Sequence, residues 1–126
     1  MFKDSPAFSG FSVNSLKEAQ KFYEEVLGLS VERTGQDMLL HLANGTTVFL
    51  YEKEDHTPAT FTILNFPVAD IDEAVQALTD KGVTFEQYEG ITGDDGIARG
   101  IAAHRGPDIA WFKDPAGNIL SVLQKA

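Results

Sequence analysis

The stretch "VNSLKEAQKFYEEVLGLSVE", residues 13–32, recurs in altered form as "VADIDEAVQALTDKGVTFE", residues 68–86, with a one-residue gap before the second glycine. The two stretches share identical residues at corresponding positions: Val13 with Val68, Glu18 with Glu73, Ala19 with Ala74, Gly28 with Gly82, and Glu32 with Glu86. In both, Ser15 or Asp70 precedes a glutamate by three positions, which is the spacing of a capping box at a helix start. The repeat therefore predicts one short helix in each half of the chain.

Outside these helices the apolar pattern changes from helical spacing to alternation, which is typical of strands. The first half has predicted strands at residues 8–13, 29–34, 37–42 and 46–52. Asn44-Gly45 is a hairpin turn signal between the last two. The second half has predicted strands at residues 60–68, 83–88, 108–113 and 118–124. Each half is therefore expected to be a βαβββ module, and the fold class to be α+β.

Length and composition exclude several classes of protein. The 126 residues suit a single domain, residues 1–126, with modules at about residues 5–55 and 58–126. There is no cysteine, which excludes disulfides and cysteine-ligated metal sites. The sequence shows neither a signal peptide nor an apolar run of the roughly 20 residues that span a bilayer. We therefore expect a cytoplasmic protein with no membrane partner.

The net charge of −9 argues against nucleic acid as a partner, because phosphate binding depends on clustered Lys and Arg. The same charge is compatible with a cationic ligand. It is also what an ordinary solvated acidic surface produces.

Residues 89–107, "EGITGDDGIARGIAAHRGP", interrupt the strand pattern with five glycines and charges of both signs. The glycines fit neither a Walker loop nor a dinucleotide-binding turn. Two interpretations remain: a mobile loop, or a flap over a site. In the second, Arg99, His104 and Arg105 are available to meet an anionic group.

Alternation sorts the strand residues into two faces. One face is apolar throughout and is expected to form the core under the helices: Phe11, Val13, Met38, Leu40, Leu42, Val48, Leu50, Leu64, Phe66, Val68, Ala110, Phe112, Leu120 and Val122. The other, the mixed face, combines aromatic and polar residues: Phe8, Gly10, Ser12, Asp37, Leu39, His41, Thr47, Phe49, Tyr51, Ile63, Asn65, Pro67, Ile109, Trp111, Lys113, Ile119, Ser121 and Leu123.

The mixed face has the composition of a small-molecule site, with apolar walls and a few polar groups that orient a ligand. The predicted ligand-binding residues are Phe8, Leu39, His41, Phe49, Tyr51, Ile63, Asn65, Ile109, Trp111 and Ser121. Packing of this face on the other half, or on a second subunit, is the alternative interpretation.

The doubled βαβββ plan resembles the vicinal oxygen chelate superfamily, which includes glyoxalase I, bleomycin resistance proteins and extradiol dioxygenases. The stretches that carry the resemblance are "FYEEVLGL" at the end of the first helix, "HTPATFTILNFPV", and "GPDIAWFKDPAGNILSVLQ" with its "DPAGN" turn. The resemblance covers nearly the whole chain. It implies a curved mixed sheet around a concave cavity, and a homodimer. It also places Ile109 and Trp111, which precede the turn residue Asp114, in the substrate pocket.

Enzymes of that superfamily hold a metal ion with His and Glu side chains on the first and last strands of each module. The corresponding positions here are Phe8, Phe49, Ile63 and Ser121. None of these residue types is a ligand that divalent metals prefer. We therefore expect no metal and no cofactor.

Three functions remain open. The leading prediction is a metal-free protein that binds a small apolar or aromatic molecule, with His41, Asn65 and Ser121 as polar anchors. The second is a lyase, isomerase or dioxygenase with a non-standard metal site or an acid-base pair such as His41 with Asp37. The third is an interaction module.

Overall fold

The computed structural model describes all 126 residues and divides into two compact units, residues 1–57 and 58–126. The first unit contains β1 (Ser9–Val13), α1 (Leu16–Lys21), β2 (Ser30–Thr34), β3 (Asp37–His41) and β4 (Thr47–Glu52). The second contains β5 (Thr62–Pro67), α2 (Ile71–Asp80), β6 (Ile97–Arg99), β7 (Asp108–Lys113) and β8 (Ile119–Gln124). The α+β class and the two βαβββ modules are thus confirmed. Neither helix has the length and apolar character needed to cross a membrane.

The eight strands form two sheets of four, one in each unit, with the same topology. Their strand orders are β1-β4-β3-β2 and β5-β8-β7-β6. In each sheet the first and last strands of the module are parallel neighbours, while the other pairs are antiparallel. The βαβ connection that parallel strands require is supplied by the helix that follows the first strand, together with the two intervening strands.

Both helices begin at the predicted capping residues. The Ser15 hydroxyl accepts a hydrogen bond from the Glu18 N–H at 3.2 Å, and the Asp70 carboxylate accepts one from the Glu73 N–H at 3.1 Å. In the first unit the α-helix ends at Lys21 and continues as a π-helical turn, Phe22–Val26. Each capping residue therefore satisfies one of the backbone donors that a helix start leaves unpaired.

A second acceptor at each helix start comes from the end of the last strand in the same unit. The Leu16 N–H donates to Glu52 Oε1 at 2.9 Å, and the Ile71 N–H donates to Gln124 Oε1 at 2.9 Å. The two contacts occupy equivalent places in the two modules. They connect the helix directly to the strand on which it packs.

The predicted core face is largely confirmed. Its most buried members are Val13, Met38, Leu40, Val48, Leu50, Ala110, Phe112, Leu120 and Val122, and the residues Leu16, Ala19, Tyr23, Ile71 and Val75 of the helical segments are buried as well. The remaining predicted members, Phe11, Leu42, Leu64, Phe66 and Val68, are half-buried. Removal of this apolar surface from water is the main stabilising contribution in each unit.

The predicted strand at residues 83–88 is wrong, because that segment makes only one ladder-like bond. The Glu86 N–H donates to the Trp111 carbonyl at 2.8 Å, while β6 occupies the rest of that edge of β7. Phe85 turns into the core, where its ring meets Phe112 edge-on at 5.5 Å. The alternation of apolar and polar residues in this segment therefore reflects the burial of Phe85, and the segment is not a strand of the sheet.

Residues 89–107, for which the sequence predicted a loop or a flap, contain one short strand, β6. Gly96 is buried with φ 82°, and a Cβ atom there would lie 2.8 Å from the Cβ of Phe85. Only glycine fits such a position without displacing the chain. At least one glycine of this segment is thus required for the segment to pack closely against Phe85 of the core.

Candidate functional site

Three residues of the mixed face lie side by side across the second sheet. The strand register pairs Asn65 on β5 with Ser121 on β8, and Ser121 with Trp111 on β7. Directly paired residues project from the same face of a sheet, so the three side chains share one surface. The structure therefore brings together an amide, a hydroxyl and an indole that the sequence had placed on separate strands.

The turn between β7 and β8 fixes the positions of Trp111 and Ser121. The buried carboxylate of Asp114 accepts hydrogen bonds from the backbone N–H groups of Ala116 and Asn118, each at 2.9 Å. The Asn118 side chain donates to the same carboxylate at 3.1 Å. The aspartate and asparagine of the "DPAGN" turn therefore hold the hairpin, and with it the register of the two strands.

Ser121 is fully buried, with 0 % of its surface exposed. Its hydroxyl donates to Asn65 Oδ1 at 2.5 Å, whereas Asn65 itself is exposed. Ser121 was predicted as a polar anchor for a ligand. In the structure its hydroxyl is hydrogen-bonded to Asn65, and Asn65 is the polar side chain of this pair that reaches the surface.

Trp111 is half-buried and is flanked by a residue that sequence reasoning missed. The ring of Tyr88 meets the indole edge-on at 5.4 Å and 68°. Tyr88 is held by its backbone N–H, which donates to the Thr92 hydroxyl at 2.8 Å. The alternation pattern could not place Tyr88 beside Trp111, because residues 83–88 do not form the strand that alternation predicted.

The first unit carries an aromatic series on its own mixed face. Phe49 meets Phe8 edge-on at 6.5 Å and stacks on Tyr51 at 5.9 Å. Phe8 is 65 % exposed and Tyr51 39 %. Beside Phe49, a Cβ atom at Gly10 would come within 3.0 Å of the Phe49 carbonyl oxygen. The absence of a side chain at Gly10 therefore leaves room for Phe49, and Leu39 flanks Phe49 on the opposite side.

His41 and Asp37 do not form the acid-base pair that the second predicted function would use. The two residues are the ends of β3, roughly 13 Å apart at about 3.3 Å per residue. His41 Nε2 instead lies 3.3 Å from Glu32 Oε1. A second histidine contact, between His56 Nδ1 and the Ser12 hydroxyl at 2.6 Å, joins the segment after β4 to β1.

The positions that correspond to metal ligands do not offer a donor set for a divalent ion. Phe8 and Phe49 belong to the aromatic series, and the Ser121 hydroxyl is engaged with Asn65. Ile63 lies at a β-bulge between Thr62 and Leu64. No three His, Asp or Glu side chains in the structure come together as a group that could hold a metal ion.

The second unit also contains a pocket of about 910 Å³ beside the mixed face. Its lining consists of Gly90, Ile91, Thr92, Gly93, Asp94, Asp95, Ile97, Ala98, Arg99, Gly100, Ala103, Arg105, Pro107 and Ile109. Ile109 is the one predicted site residue among them. It lies opposite Ala98 in the sheet, two positions before Trp111 on β7.

The segment that forms this pocket is tied to the rest of the second unit by Arg99. The guanidinium donates to both carboxylate oxygens of Asp72 on α2, at 2.7 and 3.2 Å, and to Asp95 at 3.1 Å. Hydrogen bonding to Asp72 raises the pKa of Arg99 above its ordinary value, and the same contact lowers the pKa of Asp72. Arg99 is therefore occupied, whereas Arg105 lines the pocket without an ion pair.

Comparison with known proteins gives one family and a set of similar structures. The model of the glyoxalase/bleomycin resistance protein/dioxygenase superfamily matches residues 8–122. No curated protein matches the sequence. A superfamily member from Sphaerobacter thermophilus is 22 % identical with TM-score 0.67, covering 94 % of this chain and 97 % of that one.

Two further similar structures belong to proteins whose names state a function. The antibiotic binding protein TnmS3 from a Streptomyces species is 19 % identical with TM-score 0.66, over 95 % of this chain and 96 % of that one. The fosfomycin resistance protein FosX from Listeria monocytogenes is 13 % identical with TM-score 0.69, over 95 % and 92 %. At these identities the structural likeness concerns the fold alone.

Proposed function

Because this chain belongs to the glyoxalase/bleomycin resistance protein/dioxygenase superfamily, we propose that it binds a small, planar or apolar molecule on its mixed face without a metal ion. The proposal concerns binding and not a reaction. Two proteins of the same fold, an antibiotic binding protein and a fosfomycin resistance protein, support it by analogy. Sequestration of a toxic or antibiotic compound is the role that this combination supports.

The observation that carries the proposal is the position of Trp111. It is half-buried on a sheet face whose opposite side is core, with Tyr88 edge-on to it and the Asn65–Ser121 pair alongside. An indole in such a place offers an aromatic surface for a flat ligand, and stacking contributes about 0.5–1.5 kcal/mol beyond burial. The rings of Phe8, Phe49 and Tyr51 in the first unit are further aromatic surfaces that would suit the same class of ligand.

The donor set supports the metal-free part of the proposal, since the four positions at which relatives would bind a metal carry two Phe, one Ile and a buried Ser. Elemental analysis of the purified protein tests it. We expect no stoichiometric nickel, zinc, iron or manganese. A bound metal whose removal abolishes ligand binding would contradict this part of the proposal.

Replacement of Trp111 by Ala tests the proposed site with two measurements on the same variant. We expect binding of a flat aromatic compound to weaken tenfold or more, while the melting temperature changes little. For a tryptophan that only fills the core, the loss would instead be about 3–5 kcal/mol of stability. A variant that melts far lower but binds equally well where it is still folded would refute the proposed site. Phe2→Ala, which removes an exposed ring that lies outside both sheets, is the control.

We further propose that two copies of the chain associate. β1 and β5 each have one edge that pairs with no other strand of their sheets, and such edges favour pairing with another chain. Phe8 and Phe61, at or just before the starts of these strands, are 65 % and 67 % exposed. Light scattering at micromolar concentration should give twice the mass of the chain, and a strict monomer would refute the proposal.

A further inference from the structure

The contact between Ser121 and Asn65 determines which way the Asn65 amide points. The Ser121 hydroxyl donates to the side-chain oxygen of Asn65 at 2.5 Å, which lies within the range for O–H···O bonds of about 2.5–3.0 Å. The atom of Asn65 that faces the buried hydroxyl is therefore Oδ1.

This orientation leaves Nδ2, with its two N–H donors, on the outer side of the side chain. Asn65 is exposed, and the hydrogen bond from Ser121 is the one hydrogen bond that its side chain makes. The equivalent place in the first unit is Gly10, which lies opposite Phe49 as Asn65 lies opposite Ser121. The first unit thus has no polar side chain at the corresponding position.

We propose that Nδ2 of Asn65 donates a hydrogen bond to a carbonyl-type acceptor on the ligand, while the aromatic part of that ligand packs on Trp111. The two residues lie two strand spacings apart, about 9–10 Å between their Cα atoms. This distance suits a fused aromatic ring system that bears an acceptor at one edge. The inference rests on the proposed binding function and specifies the ligand class as planar aromatic ketones.

Ser121 acts here as a positioning residue. Its buried hydroxyl holds Oδ1 inward, so the face presents a donor and not an acceptor. A ligand group that can only donate would meet another donor at this place and be disfavoured. The acceptor preference should therefore depend on Ser121 as well as on Asn65.

The test compares 9-fluorenone with fluorene, which have the same shape and differ in a carbonyl in place of a methylene group. Their binding is measured by titration calorimetry and by quenching of Trp111 emission. We expect wild-type protein to bind fluorenone about tenfold more tightly than fluorene, since a hydrogen bond made or left unmade in a partly buried site has about this effect.

Asn65→Asp should abolish this preference, because it replaces the donor with a carboxylate. The matched control is Asn14→Asp, which introduces the same charge at an exposed position outside the site and should preserve the preference. Ser121→Ala should lower the ratio of fluorenone affinity to fluorene affinity, because the amide is then free to rotate.

The outcomes separate this inference from the proposed function. Equal binding of both compounds to wild type, with both weakened in Trp111→Ala, would overturn the inference and leave the proposed function intact. A preference that persists in Asn65→Asp would also overturn it. If neither compound binds, or if both bind Trp111→Ala as tightly as wild type, then the inference and the proposed function both fail.

Discussion

The two units share a fold, and one row of residues on the mixed face shows a clear difference between them. In the first sheet, Gly10, Phe49 and Leu39 lie side by side across three strands; in the second, the same register positions hold Asn65, Ser121 and Trp111. The core faces behind these rows are apolar in both units. The residues that the two units have in common therefore form the fold. The polar side chains of this row occur only in the second unit, where the two repeats differ.

The helix starts demonstrate how closely the structural part of the repeat has been kept. Glu52 and Gln124 differ in charge, yet each places one side-chain oxygen 2.9 Å from the first N–H of its helix. Both residues therefore keep a side-chain oxygen that accepts a hydrogen bond, although only one of them is charged. The helix starts are thus similar in the two units because they support the fold, whereas the rows on the mixed face differ and are free to bind a ligand.

The largest effect that tests this equivalence is the loss of the acceptor at either helix start. Glu52→Ala and Gln124→Ala should each lower the free energy of unfolding by about 1–2 kcal/mol, because each leaves a partly buried backbone donor without a partner. Glu52→Gln and Gln124→Glu keep an acceptor oxygen and should each cost less than half as much. Urea denaturation of the four variants measures this. If only one of the two alanine variants lost stability, the two helix starts would not be equivalent.

A smaller effect on stability is expected from the ion pair between Arg99 and Asp72. This ion pair occurs only in the second unit, so it tests a difference between the units. The pKa of Asp72 is lowered in the folded protein, so this contact stabilises the fold at pH values above the carboxyl's unfolded pKa. The stabilisation is lost as the pH falls through the folded pKa.

Wild type should therefore exceed Asp72→Asn in stability at pH 7, and the difference should shrink below about pH 4. Urea midpoints at several pH values give the comparison. Glu89→Gln removes an unpaired charge from the same unit and serves as control. A difference between wild type and Asp72→Asn that grows on acidification would contradict the assignment.

The sequence was sufficient where the determining interactions are local. Ser15 and Asp70 identify the helix starts because their partners are three residues away. Asn44 and Gly45 identify the hairpin turn because both adopt left-handed backbone angles, with φ 63° and 73°. The sorting of strand residues into two faces succeeded because alternation follows from strand geometry alone.

The sequence was insufficient where distant segments compete for one place. Residues 83–88 and 97–99 lie along the same edge of β7, and only the folded chain decides which of them pairs with that strand. The hydrogen bond between Ser121 and Asn65 joins positions far apart in the sequence, so no local pattern signals it. The orientation of the Asn65 amide, on which the ligand preference depends, follows from that contact.

The central claim is that the row of Asn65, Ser121 and Trp111 is the ligand-binding surface. The chain has one tryptophan, so a nitrogen–proton correlation spectrum contains a single indole N–H signal to follow. During titration with 9-fluorenone, this signal and the side-chain amide pair of Asn65 should shift along one saturable curve, while the amide pair of Asn14 stays in place. If calorimetry detects binding but the indole and Asn65 signals do not move, the ligand binds elsewhere and the claim is wrong.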